Sequence, residues 1–193
     1  MNYIVNENKL FPCSIIEVTD GSFKEYKNDL VTYITNYSKN NSSVKKSNAG
    51  GYQSNSLFLQ DPEFEPFFKK LIDMFKYTFN NYLGRTHAGS SPEYRMINGW
   101  ININSTNNYN YFHCHGGSDV SSVFWVKANK NSGSLVFPNP HQYSQWHMLE
   151  EEHKVFEPKE GKLIFFPSSM NHFVTQNLSK TSRISLAFNF KAV

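Results

Sequence analysis

From about Tyr94 to its end the chain is a succession of short strand-like runs with turn signals between them, and this pattern most restricts the folds open to it. EYRMINGWININS alternates from Ile97 on, with Trp100, Asn102 and Asn104 on one face and Ile101 and Ile103 on the other. VSSVFWVKA, SLVF, HKVFEP, GKLIFFP, HFVTQN and RISLAFNF follow, divided by the turn NSG and by the proline-broken PNPHQYSQW. About eight strands are predicted in all. Ahead of them, LFPCSIIEV (residues 10–18) reads as a first strand, with Thr19 and Asp20 as caps of a helix running from Ser22 to about Tyr37. Phe23, Tyr26, Leu30, Tyr33, Ile34 and Tyr37 recur along it at steps of three and four. Residues 39–51, rich in Asn, Ser, Lys and Gly, read as a loop. A second helix is expected to open near Asp61 and Pro62, carry Phe64, Phe67, Phe68, Leu71, Ile72, Phe75 and Phe79 on one face, and end near Leu83 and Gly84.

Within the strand-rich half, YNYFHCHGGSDVSSVFWV (residues 109–126) places His113 and His115 one residue apart at the head of an extended run. In extended backbone, side chains at i and i+2 share a face, so both imidazoles aim at one spot. His172 precedes a later strand in FFPSSMNHFV, and Arg183 follows it in TSRISLAFNF. Two close histidines, a distant third and an inward arginine fit a non-haem iron site, although imidazole suits iron, zinc, copper and nickel alike. Arg183, Ser185 and Ala187 share one face of their strand, and a guanidinium turned into a barrel needs an anion, for which a carboxylate is the natural bidentate partner. Trp100, Asn102 and Asn104 are further candidates to line such a cavity. Cys114 should point away from the metal as a small core residue. Gly133 suits a hairpin turn. His87, His141, His147 and His153 stand in loop-like or polar contexts and read as surface residues or as residues behind the metal ligands.

The fold expected from this set is α+β and mainly β: a double-stranded β-helix, the jelly-roll or cupin-like barrel, with two N-terminal helices packed on the outside of one sheet. A chain of 193 residues with seventeen Phe and eleven Tyr suits one aromatic-cored domain, residues 1–93 giving a strand and helical support and 94–193 the barrel core. A net charge of +3 with both signs mixed along the chain offers no basic stripe for nucleic acid. No apolar run approaches a membrane span, and two cysteines, Cys13 and Cys114, make no disulfide framework. A soluble cytoplasmic protein is expected.

The succession HCH, SSVFWV, SGSLVFPNP, GKLIFFPSSMNHFV and SRISLAFNF resembles the iron- and 2-oxoglutarate-dependent oxygenases, and within them a family common in phages and marine bacteria. That family carries H-x-H-P, an S-G-V-Y-Y-like strand, S-G-x-L-x-F-x-x-P, F-P-S-x-x-x-H and R-I-S-x-A-F-N. GGYQS at residues 50–54 is similar to its glycine-aromatic-Gln-Ser element, so the likeness spans about residues 48–190. The resemblance implies Fe(II) held by His113, His115 and His172, and 2-oxoglutarate bound at its distal carboxylate by Arg183. It also suggests cosubstrate contacts from Trp125 and Asn104 or Asn102, while Ser185, two residues past Arg183 on the same face, offers a hydroxyl to the same carboxylate. The implied reaction is hydroxylation of a C–H bond in a protein side chain, an amino acid or a small metabolite, with dioxygen consumed and 2-oxoglutarate converted to succinate.

Three departures matter. His115 stands where the superfamily usually places Asp or Glu, Gly116 where the family has proline, and Ser122 where it has glycine. Asp119 is the nearest carboxylate in sequence and needs an irregular loop to reach the metal. Two other readings therefore stay open: a cupin-like metal-binding module without oxygenase activity, and a three-histidine thiol dioxygenase.

Overall fold

The computed structural model describes residues 13–83, 93–140 and 152–193. Eleven strands are described: β1 (Ile16–Thr19), β2 (Asn48–Ala49), β3 (Tyr52–Gln53), β4 (Tyr94–Asn104), β5 (Tyr109–His113), β6 (Val120–Lys127), β7 (Leu135–Pro138), β8 (His153–Phe156), β9 (Lys162–Pro167), β10 (His172–Val174) and β11 (Arg183–Ala192). They form a six-stranded sheet, β1-β9-β6-β11-β4-β3, and a five-stranded sheet, β2-β5-β10-β7-β8, with the described pairings antiparallel. Helices α1 (Phe23–Asn40) and α2 (Glu65–Thr78) cover the outer face of the larger sheet.

The two faces of that sheet bury different things. On the helical side, Leu30 and Ile34 of α1 and Leu71 and Phe75 of α2 join Phe124, Leu163, Phe165, Leu186, Phe188 and Phe190 in one core. Phe75 meets Phe188 and Phe190 edge-on at centroid distances of 5.2 and 5.0 Å. The space between the sheets holds a smaller cluster, Trp125, Leu135, Phe137, Ile164 and Phe166. The rest of that space is lined by polar side chains. This is the predicted jelly-roll architecture, as two facing sheets with helices behind one of them.

Several local expectations shift. The first strand begins at Ile16, with residues 13–15 irregular and 10–12 outside the described residues. Ser22 occupies the cap position of α1, and Asp20 supports it by accepting from the Ser22 N–H and hydroxyl, each at 2.8 Å. The second helix opens later than Asp61, because Asp61 and Pro62 are used in a turn: the Asp61 carbonyl accepts from Phe64 N–H and its carboxylate from Glu63 N–H. Pro66 takes the first helical turn, where a missing N–H costs nothing. After Thr78 the backbone loosens into a π-helical turn, Phe79–Leu83. The polar stretch 39–51 is not all loop, since α1 reaches Asn40 and Asn48–Ala49 pair with β5. No helix among the described residues is long and apolar enough to cross a membrane.

Candidate metal centre

Three histidines meet at the mouth of the space between the sheets. His113 ends β5, His172 begins β10, and the two stand directly opposite in the ladder. The next pairing is Val174 with Asn110, so β5 spends one residue more than β10 between them. That bulge is what aims His113: strict alternation would put Asn110 and His113 on opposite faces, yet both line the same cleft. His115 lies past the end of β5, not in the extended run predicted around it. Its N–H donates to the Ser168 carbonyl, tying the turn to the end of β9. Ring centroids are 4.3 Å apart for His113 and His172, and 5.0 Å for His115 with each of the others. One nitrogen from each of the three lies within 4.8 Å of the others.

The hydrogen bonds decide which nitrogens are free. His113 Nδ1 donates to the Tyr111 carbonyl at 2.6 Å, and His172 Nδ1 to the Met170 carbonyl at 2.9 Å. A carbonyl can only accept, so both rings carry the proton on Nδ1 and keep a lone pair on Nε2 for a metal. Burial, reinforced by the charge of His172 and His113, holds the His115 pKa down to about 3. Burial also pulls His172 to about 4, against the pull of its bond to Met170, and lowers His113. Three imidazoles kept neutral at physiological pH are what a metal site needs. No carboxylate joins the group among the described residues. Asp119, considered as a substitute ligand, instead accepts from the Ala192 N–H at 2.8 Å and braces the end of β11. The donor set fits iron, nickel, zinc or copper.

The same cleft runs inward to Arg183, lined by the three histidines together with Trp100, Asn102, Trp125, Arg183 and Ser185. Arg183 is 2% exposed, and its Nη1 donates to the carbonyls of Ser132 and Gly133 at 2.9 and 3.1 Å. These carbonyls hold the guanidinium without neutralising it, and burial alone draws its pKa down to about 10. Asn102 Oδ1 is also buried without a partner. Asn104 is turned aside: its Nδ2 donates to Asn110 Oδ1, and Asn110 rather than Asn104 faces the cleft. Ser122 Oγ is buried and unpaired as well.

Gly133 has a larger part than a hairpin turn. It sits at φ +92°, where a Cβ would collide with the Thr175 carbonyl and lie 2.7 Å from Arg183 Nη1. The turn thus seats the arginine through its own backbone. The NSG pattern marked the turn, but only the packing links it to Arg183. Cys114, expected in the core, is exposed, because the chain has left β5 and no longer alternates there. His153 is exposed on β8, while His87, His141 and His147 lie outside the described residues.

Residues 98–189 match the model of a family described as "Putative 2OG-Fe(II) oxygenase". Among solved structures, HygX from Streptomyces hygroscopicus with nickel and 2-oxoglutarate bound superposes with a TM-score of 0.64 at 10% identity, covering 94% of this chain and 84% of its own. A Pseudomonas putida prolyl-4-hydroxylase gives 0.63 at 14% identity, with 94% of each chain covered. The viral collagen prolyl hydroxylase of Paramecium Bursaria Chlorella virus-1, in complex with 2OG, gives 0.60 at 14% identity over 93% of this chain and 96% of that one. At these identities the structural likeness establishes the fold. No curated protein sequence matches the chain significantly.

Proposed function

We propose that this chain is an Fe(II)- and 2-oxoglutarate-dependent dioxygenase acting on a C–H bond of a substrate that enters beside His113 and His115. The observation that carries the reading is a single cleft with a neutral three-imidazole cluster at its mouth and a buried, un-neutralised guanidinium at its inner end. A buried cation without an anion is costly, and a dicarboxylate bridging the two ends would relieve it. The family match over residues 98–189 names the same cofactors.

His113 and His172 would hold the metal through Nε2, with His115 as third ligand. Arg183, fixed by Nη1, keeps its remaining N–H groups for the distal carboxylate of 2-oxoglutarate. Ser185, two residues on along the same face, offers a hydroxyl nearby, and Trp125 forms a wall. What iron and 2-oxoglutarate supply when bound is an oxidant drawn from dioxygen, with 2-oxoglutarate converted to succinate and carbon dioxide. The protein's share is to position the groups and keep water from the cleft. A ligand set without a carboxylate leaves the whole metal charge for 2-oxoglutarate to offset, which favours binding of the dianion.

Anaerobic titration of the Fe(II)-loaded protein with 2-oxoglutarate tests this directly. A weak visible charge-transfer band that disappears in His115→Ala supports the assignment. Stoichiometric iron without any band sinks it and leaves a metal-binding module. The neutral three-histidine set also suits thiol dioxygenation, and oxygen uptake driven by a thiol in the absence of 2-oxoglutarate would select that reading.

A further inference from the structure

We infer that the substrate is a small organic anion, its oxyanion taken by the Asn98 carboxamide and the Lys46 ammonium in the pocket that opens onto the metal cluster. The inference deepens the oxygenase reading and rests on it for what lies at the metal, but Asn98 and Lys46 stand outside the metal and 2-oxoglutarate sites. A pocket of about 680 Å³ is lined by Lys46, Asn98, Trp100 and Asn189 and reaches His113 and His115. Trp100, His113 and His115 also line the inner cleft that ends at Arg183, so the two spaces meet at the histidines. Neither is lined by an aspartate or glutamate among the described residues. A divalent metal and the Arg183 guanidinium bring three positive charges, and 2-oxoglutarate offsets two of them. No described lining residue offsets the third, and Lys46 adds to it. In a space of low dielectric an unanswered charge selects a substrate of the opposite sign.

The inner face of the larger sheet supplies the orienting group. Across it Ser121, Asn189 and Asn98 stand opposite one another on β6, β11 and β4, and one rung deeper stand Val123, Ala187 and Trp100. The deeper rung faces the metal cluster, the Trp100 ring centroid lying 5.3 Å from that of His115. The outer rung is polar and arranged in advance. Ser168 Oγ and Ser121 Oγ are 2.8 Å apart, Ser121 donates to Asn189 Oδ1 at 2.7 Å, and Asn189 Nδ2 donates to Asn98 Oδ1 at 2.9 Å. Ser121, Ser168 and Asn189 are buried, where each bond of such a chain stiffens the next. The open end of the chain is Asn98, half-buried, whose Oδ1 is committed to Asn189 and whose Nδ2 has no partner among the described residues. A carboxamide fixed by its oxygen offers N–H donors, and so selects an acceptor. The chain begins where the third histidine is held, since the His115 N–H donates to the Ser168 carbonyl at 2.9 Å. Two residues of strand separate the rungs, so the bound oxyanion lies about 7 Å along β4 from the part of the substrate beside Trp100.

Lys46 comes from a different segment. The Val44 N–H donates to the Gln53 carbonyl at 2.8 Å, and the Ser47 carbonyl accepts from the Tyr111 N–H at 2.7 Å. Residues 44–47 are thereby tied at one end to β3 of the larger sheet and at the other to β5 of the smaller. The Lys46 N–H is held too, by Asn48 Oδ1 at 3.0 Å. The lysine rides on a short strap fixed at both ends beside the pocket, and its exposed side chain alone is free to swing. A charge on a flexible stem attracts an anion, and a fixed amide donor orients it. A cation finds no counter-charge among the described lining residues.

The test uses the full-length protein loaded with Ni(II) and saturated with 2-oxoglutarate, so that no turnover occurs and an acid cannot take the cosubstrate's place. The probes are small carboxylic acids and phosphate monoesters, each beside its neutral parent, the primary amide or the alcohol, and beside the corresponding amine. Binding is read by ligand-observed NMR. Some members of one acid series are expected to bind, and their neutral parents and amines at least about tenfold more weakly. Asn98→Ala should weaken the selected acids about tenfold, with 2-oxoglutarate affinity unchanged. Asn98→Asp should abolish their binding and admit the matching amines. Lys46→Gln, on an exposed strap, keeps the test open whatever becomes of the Asn98 variants, and should weaken the acids about threefold and reduce their salt dependence. Neutral parents or amines that bind as well as the acids overturn the inference, as does a panel in which no acid binds. Acid affinity unchanged in both Asn98→Ala and Lys46→Gln overturns it too. Failure of the oxygenase reading would show separately, as a missing 2-oxoglutarate band in the Fe(II) protein with Asn98-dependent binding of acids intact.

Discussion

The two faces of β11 are equally shut from water and chemically opposite. Ile184, Leu186, Phe188 and Phe190 pack under the helices at 0–3% exposure, while Arg183 and Ser185, on the other face, are 2% and 6% exposed. The first face is complete in itself, each ring and methyl finding neighbours within the chain. The second is provisional: a guanidinium held only by carbonyls, and beside it an Asn102 oxygen with no partner. Burial of apolar groups repays itself, whereas burial of polar groups is repaid only by a partner. A strand built this way carries stability on one side and leaves its ligand chemistry on the other.

The sharpest way to break that division is Phe188→Ala. Phe188 touches Phe75 and fills the space above Gly99, where its ring would lie 2.7 Å from an added Cβ. Its loss should lower unfolding free energy by about 3–5 kcal/mol in chemical denaturation, with metal stoichiometry unchanged in the folded fraction. Arg183→Met should do the reverse. Stability stays within about 1 kcal/mol of wild type, since shedding an un-neutralised buried charge offsets two orphaned carbonyls. Affinity for 2-oxoglutarate should meanwhile fall about 100-fold, the scale of a lost charge-assisted contact. If Arg183→Met instead destabilises as much as Phe188→Ala, the polar face is structural after all. Gly133→Ala lies between them: a left-handed residue pressed against Thr175 should cost about 1–3 kcal/mol and displace Arg183, weakening 2-oxoglutarate binding without removing the guanidinium.

Much of this division can be read from residues alone, because a period of two along SRISLAFNF separates Arg183 and Ser185 from Ile184, Leu186 and Phe188 whatever the strand pairs with. The helical stripes are legible for the same reason. What sequence does not display is non-local. The extra residue in β5 that turns His113 inward is defined only against β10, and the end of β5 at His113 only by where its partners stop. Likewise Asn104 looks as available as Asn102 until Asn110 claims it. The two-residue strands β2 and β3 carry too few side chains to show any period, yet each finds its partner, β2 on β5 and β3 on β4.

The smallest expected effect concerns the histidines and discriminates between the faces by pH. Folded His115 and His172 have pKa values of about 3 and 4, and His113 is lowered too, while an unfolded histidine titrates near 6.5. Between those values the unfolded chain binds more protons, so the metal-free protein is at full stability above about pH 6.5 and loses it progressively as pH falls toward 4 and 3. Carboxylates contribute to acid unfolding as well, but chiefly below about pH 5. The window from 6.5 to 5 therefore reports the cluster. Denaturation midpoints of the metal-free protein should decline across it, and His172→Asn should flatten the decline, whereas Phe188→Ala should shift the whole curve down without changing its slope there. Adding Ni(II) should raise the midpoint at pH 7.5 and progressively less toward pH 5, because the protons that destabilise the empty cluster compete for the nitrogens that hold the metal. An equal decline in His172→Asn would move the acid sensitivity off the cluster, and with it the claim that three neutral imidazoles are held ready for a metal.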